Sequence, residues 1–408
     1  MANSLAGLRV LDLSRILAGP LASQMLGDLG AEVFKIERPG AGDDARDMGP
    51  PFLNRQDGSS TGTAGFFLSC NRNKKSVSID LSSPKGQRLV RKLAESCDVI
   101  IENFKVGTLA RYDLDYESLR AVNPSMIYCS ITGFGQTGPD SLKPGYDGIF
   151  QAMGGMMSVS GHPEYVAGGG PMKVGISIVD VLTAYNASIA ILAALRHRDS
   201  GGTGQFLDIS LLDCGIAALS HFAQNYLITG EVPERRGNGG YGGIPSQAFD
   251  CADRQIFVVV GNNAQYARFC DAIDRQDLFV DERFCNGPAR ITNRKILVPI
   301  LDEVFKSKPA SHWVTALDRV GVPVSFVNDV RQMFDEPQVQ AREMRRNIVH
   351  PEAGELPIVA NPLRFSSTPI ETYSAPPALG QHNEEVLATE LGLSLEQIRR
   401  LRDEGVIG

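Results

Sequence analysis

The chain has little that would serve a nucleic acid or a metal ion. Its 408 residues include 40 Lys and Arg against 47 Asp and Glu, which gives a formal net charge of -7. Because no basic excess exists to neutralise a phosphate backbone, we expect no nucleic-acid partner. The six histidines are dispersed, with no H-E-x-x-H pattern and no Cys/His cluster at zinc spacing. We therefore expect no metal site.

Paired cysteines and long apolar runs are also missing. The seven cysteines are odd in number and scattered, and no two have C-x-x-C spacing. This pattern is typical of reduced thiols and favours a cytoplasmic protein. No apolar run reaches the ~20 residues that span a bilayer. The opening sequence MANSLAGLRVLDL lacks a basic segment followed by an apolar one, so we expect no secretory signal and no membrane partner.

What the sequence does contain is an alternation of strand and helix patterns. A short apolar run at 8–13 is followed by a helical pattern from Pro20 to Gly30 and by a second run at 31–37. Strand, helix and strand within this length predict the βαβ unit of a parallel sheet. Further buried-strand runs lie at 76–81, 98–104 and 125–135. We therefore predict an α/β fold with an open, doubly wound sheet.

Composition changes suggest a second, smaller domain. A segment rich in glycine and proline, 229–246, separates the alternating patterns from a stretch that contains a predicted hairpin. We predict that residues 1–229 form the first part of a large Rossmann-like domain. Residues 230–320 would form an inserted α+β domain, and residues 321–408 would return to the large one.

The glycine-rich segment contains a misleading motif. Gly237, Gly239 and Gly242 satisfy G-x-G-x-x-G, but a dinucleotide fingerprint must follow a strand and open a helix. Two arginines precede it and Ile244-Pro245 follows it, so the pattern gives little support to NAD or FAD. A flexible linker and a mobile cover over a site both remain open interpretations.

Basic residues recur at or just after the ends of predicted strands. Each is an ordinary surface residue by itself, but ligands of such sheets gather at the carboxyl edge of the strands. Several cations there suit a ligand with several phosphates, such as coenzyme A. The residues are Arg38, Arg72, Lys74, Lys75, Lys105 and Arg111.

Asp180 lies near the start of an alanine-rich helix predicted at 181–197. An ordinary N-cap is one interpretation. The other is a nucleophile, because a carboxylate attacks an activated thioester once water is excluded. The helix dipole is expected to keep its pKa near or below the reference of about 3.9, so that it is ionised at neutral pH. Asp147, in PGYDG, is a second candidate acid with the same ambiguity.

Six blocks in order resemble the family III CoA transferases, which include the formyl-CoA and carnitine CoA transferases. The first is LRVLDLSRILAGPLASQMLGDLGAEVFKIERPGAGDDAR at 8–46. The others are CNRNKKSVSIDL, DVIIENFKVGTLARYDLDY, PGYDGIFQAMGGMM, VGISIVDVLTAYNASIAILAAL and APPALGQHNEEVL. The resemblance covers essentially the whole chain. It implies an interlaced homodimer, or a heteromer with a paralogue, whose large domain is built from both ends of the chain.

The resemblance also implies functional residues. Asp180 would be the catalytic residue, and a CoA thioester would be a substrate, with no prosthetic group. The implied CoA contacts are Leu17, Ala18, Arg38, Asn71, Arg72, Asn73, Lys74, Asn103, Phe104, Arg111, Lys143 and Tyr146. Arg46 and Arg72 are candidate partners of a second substrate carboxylate. Gly239, Gly240 and Tyr241 lie in the approximate counterpart of the family's mobile glycine loop.

The closest pattern is that of relatives that move CoA from succinyl-CoA to a dicarboxylate. Two alternatives stay open: an α-methylacyl-CoA racemase, and a non-catalytic CoA-binding subunit. The racemases resemble this chain but look as if they need a histidine where Tyr146 precedes Asp147. A phenol with a reference pKa of about 10 is a poor proton shuttle at neutral pH. The tyrosine therefore gives the racemase interpretation less support than the transferase interpretation.

Overall fold

The computed structural model describes residues 3–240 and 242–408. The chain forms two compact units. The first contains residues up to 156 together with 174–228 and 340–408, and the second contains 157–173 and 229–339. The second unit therefore takes in residues 157–173 and 321–339, which the predicted segments had assigned to the large domain.

The strands are short, as is usual for a globular α/β protein. Over the described ranges they are β1 (Arg9–Asp12), β2 (Glu32–Glu37), β3 (Phe52–Asn54), β4 (Ser60–Ala64), β5 (Lys74–Ser78), β6 (Val99–Glu102), β7 (Ile127–Thr132), β8 (Gln205–Ser210), β9 (Ser246–Asp250), β10 (Gln255–Val259), β11 (Val324–Phe326), β12 (Arg345–His350) and β13 (Gly354–Val359).

The helices range from single turns to one of 22 residues. In the described part of the chain they are α1 (Ala18–Asp28), α2 (Gly65–Ser69), α3 (Pro84–Ala94), α4 (Tyr116–Arg120), α5 (Asp147–Met153), α6 (Met156–Val159), α7 (Ile178–Asp199), α8 (Leu211–Ala217), α9 (His221–Thr229), α10 (Asn263–Ala272), α11 (Asp277–Val280), α12 (Gly287–Thr292), α13 (Arg294–Lys306), α14 (Ala310–Arg319), α15 (Val330–Asp335), α16 (Pro337–Ala341), α17 (Asn383–Leu391) and α18 (Leu395–Asp403). Two 3₁₀ turns lie at Asp44–Asp47 and Leu109–Tyr112.

The first unit is built on a six-stranded sheet with the order β5-β2-β1-β6-β7-β8. Every neighbouring pair in it is parallel. The predicted α/β fold with a large parallel sheet is thereby confirmed. The strand order reverses between β1 and β6, and at such a switch point the connecting segments leave in opposite directions and open a crevice at the carboxyl ends of the strands.

Each face of this sheet carries its own apolar core. Helices α1 and α7 cover one face with small side chains, including Ala22, Ala184 and Ala187. Helices α3, α17 and α18 cover the other, through residues such as Val90 and Val386. Small residues let two helices approach each other closely, which suits the extensive contact between α1 and α7.

Helix α7 is longer than predicted and apolar along most of its length. Within the described residues it is the one helix long and apolar enough to cross a membrane, although the sequence analysis found no run of that length. Its side chains at Ala184, Ala187 and Ile191 are fully buried against the sheet core. We therefore assign it to the core of the first unit.

The second unit contains a three-stranded antiparallel sheet in the order β11-β10-β9. Strands β9 and β10 form the predicted hairpin. The prediction that GVPVSFVND at 321–329 returns to the large domain is wrong, because Val324 and Phe326 pair with Val258 and Ile256 of β10. A separate apolar core, which includes the buried Trp313 together with Phe249 and Ile256 of the sheet, lies in this unit.

Candidate active site

Buried charged side chains hold the turn that follows β1 in place. Lys35 on β2 forms an ion pair of 2.8 Å with Asp43 and donates a hydrogen bond to the backbone oxygen of Ser14 at 3.0 Å. Asp43 in turn accepts the backbone N–H of Ile16 at 3.0 Å. Burial opposes the charge of Lys35, but Asp12 and Asp43 raise its pKa above the ordinary value. A charged lysine therefore shapes the first turn.

The same turn stores backbone strain. Ile16 has a φ of 72°, in the left-handed region that costs a β-branched residue about 1–3 kcal/mol. Directly after it, α1 begins so close to the turn that a side chain on Gly19 would meet Ser14 at 2.3 Å. The strained turn brings Leu17 and the start of α1 to the crevice between β1 and β6.

Asp180 lies in the first turn of α7 but does not cap it. Among the described residues, no hydrogen-bond or ion-pair partner of the Asp180 carboxylate is found. A partly buried carboxylate without such a partner is costly to ionise, because nothing replaces the lost hydration. The N-cap interpretation is therefore wrong for this side chain.

The pKa of Asp180 departs from the expectation drawn from the helix dipole. Burial, and then the charge of Asp147, raise it from 3.8 to about 7. Burial and the Asp147 charge therefore outweigh the favourable effect of the α7 dipole. The Oδ1 atom of Asp147 accepts the N–H of Val179 at 2.8 Å and lies 3.4 Å from the N atom of Asp180.

Asp180 lines a cavity of 330 Å³. Pockets for small molecules begin at about 300 Å³, so this cavity is large enough to be one. It brings together seven of the predicted site residues from four different segments. These are Leu17, Ala18, Asn103, Phe104, Lys143, Tyr146 and Asp180. The same walls include residues that the sequence analysis did not assign to a site, namely Arg15, Asp44, Thr132 and Ser141.

Arg15 was missed although its position carried a signal. It follows the first strand by three residues, at the carboxyl edge of the sheet, where ligands of such folds gather. Its guanidinium forms an ion pair of 3.1 Å with Asp44 and lies 5.2 Å from the centroid of the Phe104 ring.

A smaller cavity of 260 Å³ adjoins the first and shares Arg15 and Phe104 with it. Arg38 lines this second cavity, and its side chain is half exposed and paired with Asp44. Tyr112 and the apolar side chains of Leu13, Ile36, Ile79 and Leu81 form part of its walls, together with polar residues such as Glu37, Asp80 and Thr108. Arg111 is exposed in the 3₁₀ turn beside Tyr112 and lines neither cavity.

The predicted role of the 71–74 side chains is corrected by their contacts. Arg72 is 7% exposed and donates two hydrogen bonds to Asp28, at 2.9 and 2.6 Å. Lys74 is buried and pairs with Asp12 at 3.0 Å, while it also bonds to Asn71 at 2.8 Å. Asn73 bonds to Asp28 and to the backbone of Ser374. The buried side chains of Asn71, Arg72 and Lys74 therefore hold the fold together and are not available to a phosphate, while Asn73 is only partly buried.

Arg46 is corrected for the same reason. Its guanidinium donates two hydrogen bonds of 2.7 Å to Glu37 and stacks on Phe67 at 3.7 Å from the ring centroid. A cation neutralised in this way is not a partner for a substrate carboxylate. If Arg46 turned to the substrate, the buried Glu37 carboxylate would lose its partner, which is costly.

Gly239 and Gly240, two of the predicted glycine-loop residues, lie in the second unit. The N–H of Gly240 bonds to the oxygen of Ser246 at 2.7 Å, and Arg294 donates to the oxygen of Gly240 at 3.2 Å. A side chain on Gly239 would meet that guanidinium at 1.7 Å. Tyr241 lies outside the described residues.

Two further cavities contain few of the predicted residues. One of 320 Å³ lies beside Glu102, Tyr128 and Phe206 in the first unit. Burial raises the pKa of Glu102 to about 7, and its Oε2 atom accepts the N–H of Phe104 at 2.8 Å. The other, of 990 Å³, lies in the second unit. In the part of the chain that the structure describes, no cluster of side chains is suited to a metal ion.

Comparison with known proteins decides between the possible uses of such a site. The model of CoA-transferase family III matches residues 5–383. The chain belongs to this family. It is therefore a CoA transferase, and the resemblance found in the six sequence blocks is confirmed.

Relatives of this CoA transferase match over nearly its whole length. It is 41% identical to the succinate–glutarate CoA-transferase of Agrobacterium fabrum over 396 residues, which cover 97% of this chain and 96% of the relative. It is 39% identical to the human succinyl-CoA:glutarate CoA-transferase, covering 99% and 90% respectively. A crystal structure of a CAIB/BAIF family protein from Brucella suis is 39% identical with a TM-score of 0.85, covering 96% of this chain and 100% of the other.

Proposed function

We propose that this CoA transferase moves CoA from succinyl-CoA to a dicarboxylate, with Asp180 as the attacking carboxylate. The observation that carries the proposal is the isolated Asp180 carboxylate, which lines a cavity with seven of the predicted site residues. The names of the two CoA-transferase relatives, succinate–glutarate and succinyl-CoA:glutarate CoA-transferase, support the choice of substrates.

The two adjoining cavities suggest how the CoA thioester lies. The phosphates would meet Arg15, Lys105 and Lys143, and the N-terminus of α1 adds the favourable end of a helix dipole. The adenine would enter the smaller cavity between Arg38 and the Tyr112 ring. The pantetheine arm would then run along Leu17 and Asn103 toward Asp180.

The reaction proceeds by exchange of carboxylates. The Asp180 carboxylate attacks the thioester carbonyl of succinyl-CoA, forms a mixed anhydride and releases CoA thiolate. The thiolate attacks the Asp180 carbonyl, so that succinate leaves and an aspartyl-CoA thioester remains. The acceptor carboxylate then attacks this thioester, forms a second anhydride and again releases the thiolate, which attacks the acceptor carbonyl and frees Asp180.

Each step replaces one activated acyl bond by another, so we expect neither ATP nor a prosthetic group. Water must be kept from the anhydrides and the thioester, since hydrolysis would waste the activated acyl group. The N–H groups of Val179 and Asp180 face Asp147, at 2.8 and 3.4 Å, and are not free to stabilise the oxyanions. The N–H groups at the start of α1, beside Ala18, would serve as those donors.

We also propose a homodimer in which the chains interlace. The first unit exposes a set of large apolar side chains that a monomer would leave in water. They are Tyr146, Ile149, Met153, Ile176, Ile189, Tyr226, Leu227 and Ile228. Light scattering of the purified protein tests this: a dimeric mass supports the proposal, and a monomer at micromolar concentration contradicts it. A heteromer would require a second chain in the purified complex.

The activity is tested with the wild-type enzyme and Asp180→Asn, which keeps the shape of the side chain and removes the nucleophile. Each is incubated with succinyl-CoA and a panel of mono- and dicarboxylates, and new CoA esters are identified by mass. We expect dicarboxyl-CoA esters from the wild type and none from the variant. A variant that transfers CoA at the native rate would eliminate Asp180, and solvent deuterium entering the α-carbon of an acyl-CoA without any acceptor would point to a racemase.

A further inference from the structure

Helix α7 has no side-chain cap of its own, and an aspartate from another helix replaces it. Ser177 precedes the helix and makes no capping hydrogen bond. The Oδ1 atom of Asp147, the first residue of α5, accepts the N–H of Val179 at 2.8 Å instead. The same oxygen lies 3.4 Å from the N atom of Asp180. One carboxylate thus holds the turn that carries the nucleophile.

Asp147 is itself held by a buried amide. Its Oδ2 atom accepts a hydrogen bond of 2.6 Å from the Nε2 atom of Gln151, one turn further along α5. Gln151 is completely buried, accepts the N–H of Val174 at 2.8 Å and donates to the oxygen of Ile176 at 3.3 Å. The pair therefore fixes the whole segment from Val174 to Asp180, and not only the helix end.

Asp147 also acts on Asp180 through its charge. After burial, it is the group that raises the pKa of Asp180 to about 7. The other ionisable side chains that line the same cavity are Arg15, Asp44, Lys105, Lys143 and Tyr146. Arg15 and Lys143 are paired with the acids Asp44 and Asp140, which reduces their pull on the nucleophile.

We propose that Asp147 is a positioning residue for the transfer reaction, which caps the nucleophile's helix and keeps the Asp180 carboxylate destabilised until substrate arrives. The inference rests on the proposed role of Asp180. A carboxylate that is poorly stabilised in the free enzyme is a better nucleophile toward a thioester carbonyl, because less is lost when its charge moves to the substrate.

The test measures how fast CoA becomes bound to Asp180 when the enzyme is mixed with succinyl-CoA, over a range of about pH 5 to 9. In the wild type we expect the rate to rise with pH around a midpoint near 7, as Asp180 ionises. Asp147→Asn keeps an oxygen for the Val179 N–H but removes the charge. We expect it to shift the midpoint down by about one pH unit and to lower the plateau rate about tenfold.

Two matched variants separate charge from structure. Asp213→Asn makes the same chemical change at an exposed position of α8, and we expect the wild-type profile. Gln151→Ala loosens the 174–180 segment but keeps the Asp147 charge, so we expect a lower plateau with an unmoved midpoint. A wild-type midpoint in Asp147→Asn, or an equal midpoint shift in Gln151→Ala, would overturn the proposal.

Two other causes of a negative result, a folding defect of the variant and a failure of the proposed function, can be told apart from a failure of this proposal. If circular dichroism shows that Asp147→Asn is unfolded, Asp147→Glu decides, since it keeps the charge and displaces the oxygen atoms. A lower plateau at the wild-type midpoint then supports the proposal, and an unchanged plateau contradicts it. If the wild type itself forms no adduct on Asp180, the proposed function fails and this inference fails with it.

Discussion

Asn103 and Arg15 exchange two backbone-directed hydrogen bonds across the switch point of the sheet. The Oδ1 atom of Asn103 accepts the N–H of Arg15 at 2.9 Å, and its Nδ2 atom donates to the oxygen of Arg15 at 2.8 Å. The side chain predicted to contact CoA thus joins the segments after β1 and β6. Its role is to hold the first turn in the shape that the cavity requires.

The first prediction concerns this link. Asn103→Ala removes both hydrogen bonds, and Asn103→Asp keeps only the acceptor and leaves the Arg15 oxygen without a donor. Because the two lost bonds together cost about 2 kcal/mol, we expect the KM for the CoA thioester to rise about thirtyfold in the alanine variant. The KM for the dicarboxylate substrate should change little. Steady-state kinetics on both substrates check this, and equal rises in the two KM values would contradict it.

The second prediction separates two arginines that sequence reasoning treated alike. Arg72→Met breaks a buried pair with Asp28, and we expect a loss of about 3–5 kcal/mol in the free energy of unfolding. Arg38→Ala removes a half-exposed side chain, so stability should change by less than about 1 kcal/mol. Urea denaturation of both variants measures these differences.

Substrate kinetics complete that comparison. The Arg38 variant should bind the CoA thioester about tenfold more weakly, because a charged contact to the nucleotide is lost. The folded fraction of the Arg72 variant should keep the wild-type KM for the dicarboxylate. A stable Arg72 variant with a raised dicarboxylate KM would restore the rejected role of Arg72 in substrate binding.

The third prediction uses the raised pKa of Asp180. The folded state keeps a proton on Asp180 between pH 3.8 and about 7, whereas the unfolded chain has lost it. The free energy of unfolding therefore falls as the pH rises through this window. Asp180→Asn removes the penalty, so we expect it to be more stable than the wild type by about 1–3 kcal/mol at pH 8.

The difference between these two proteins should shrink as the pH falls toward 4, where both side chains are neutral. Thermal melts at several pH values measure it directly. Equal melting temperatures of wild type and variant at pH 8 would show that Asp180 is not destabilised in the folded enzyme.

The parallel sheet could be predicted because its signals are local. The apolar runs of β1 and β2 and the helical pattern between them lie within one short segment, so their pairing follows from the βαβ rule. The order of the sheet and the covering by α1 and α7 agree with this. The place of Val324–Phe326 could not be predicted, since a three-residue strand shows neither its partner nor its unit in its own sequence.

The site residues also divide into those that local sequence predicts and those that depend on contacts between distant parts of the chain. Asp180, Leu17 and Asn103 lie at strand ends or helix starts, and they meet at one cavity. The contacts of Arg72 were not visible, because its partner Asp28 is 44 residues away and only the folded chain brings them together. The pKa of Asp180 was misjudged for the same reason, since burial and Asp147 are tertiary effects that outweigh the local dipole.

The central claim is that Asp180 becomes covalently attached to CoA. The direct measurement is the mass of the peptide containing Asp180 after the enzyme is mixed with succinyl-CoA, without an acceptor, and rapidly acidified. The account predicts that this peptide gains the mass of CoA less one water, and that the gain disappears when a dicarboxylate is added or when Asp180 is replaced by Asn. An enzyme that completes CoA transfer while this peptide stays unmodified at every time point would contradict it.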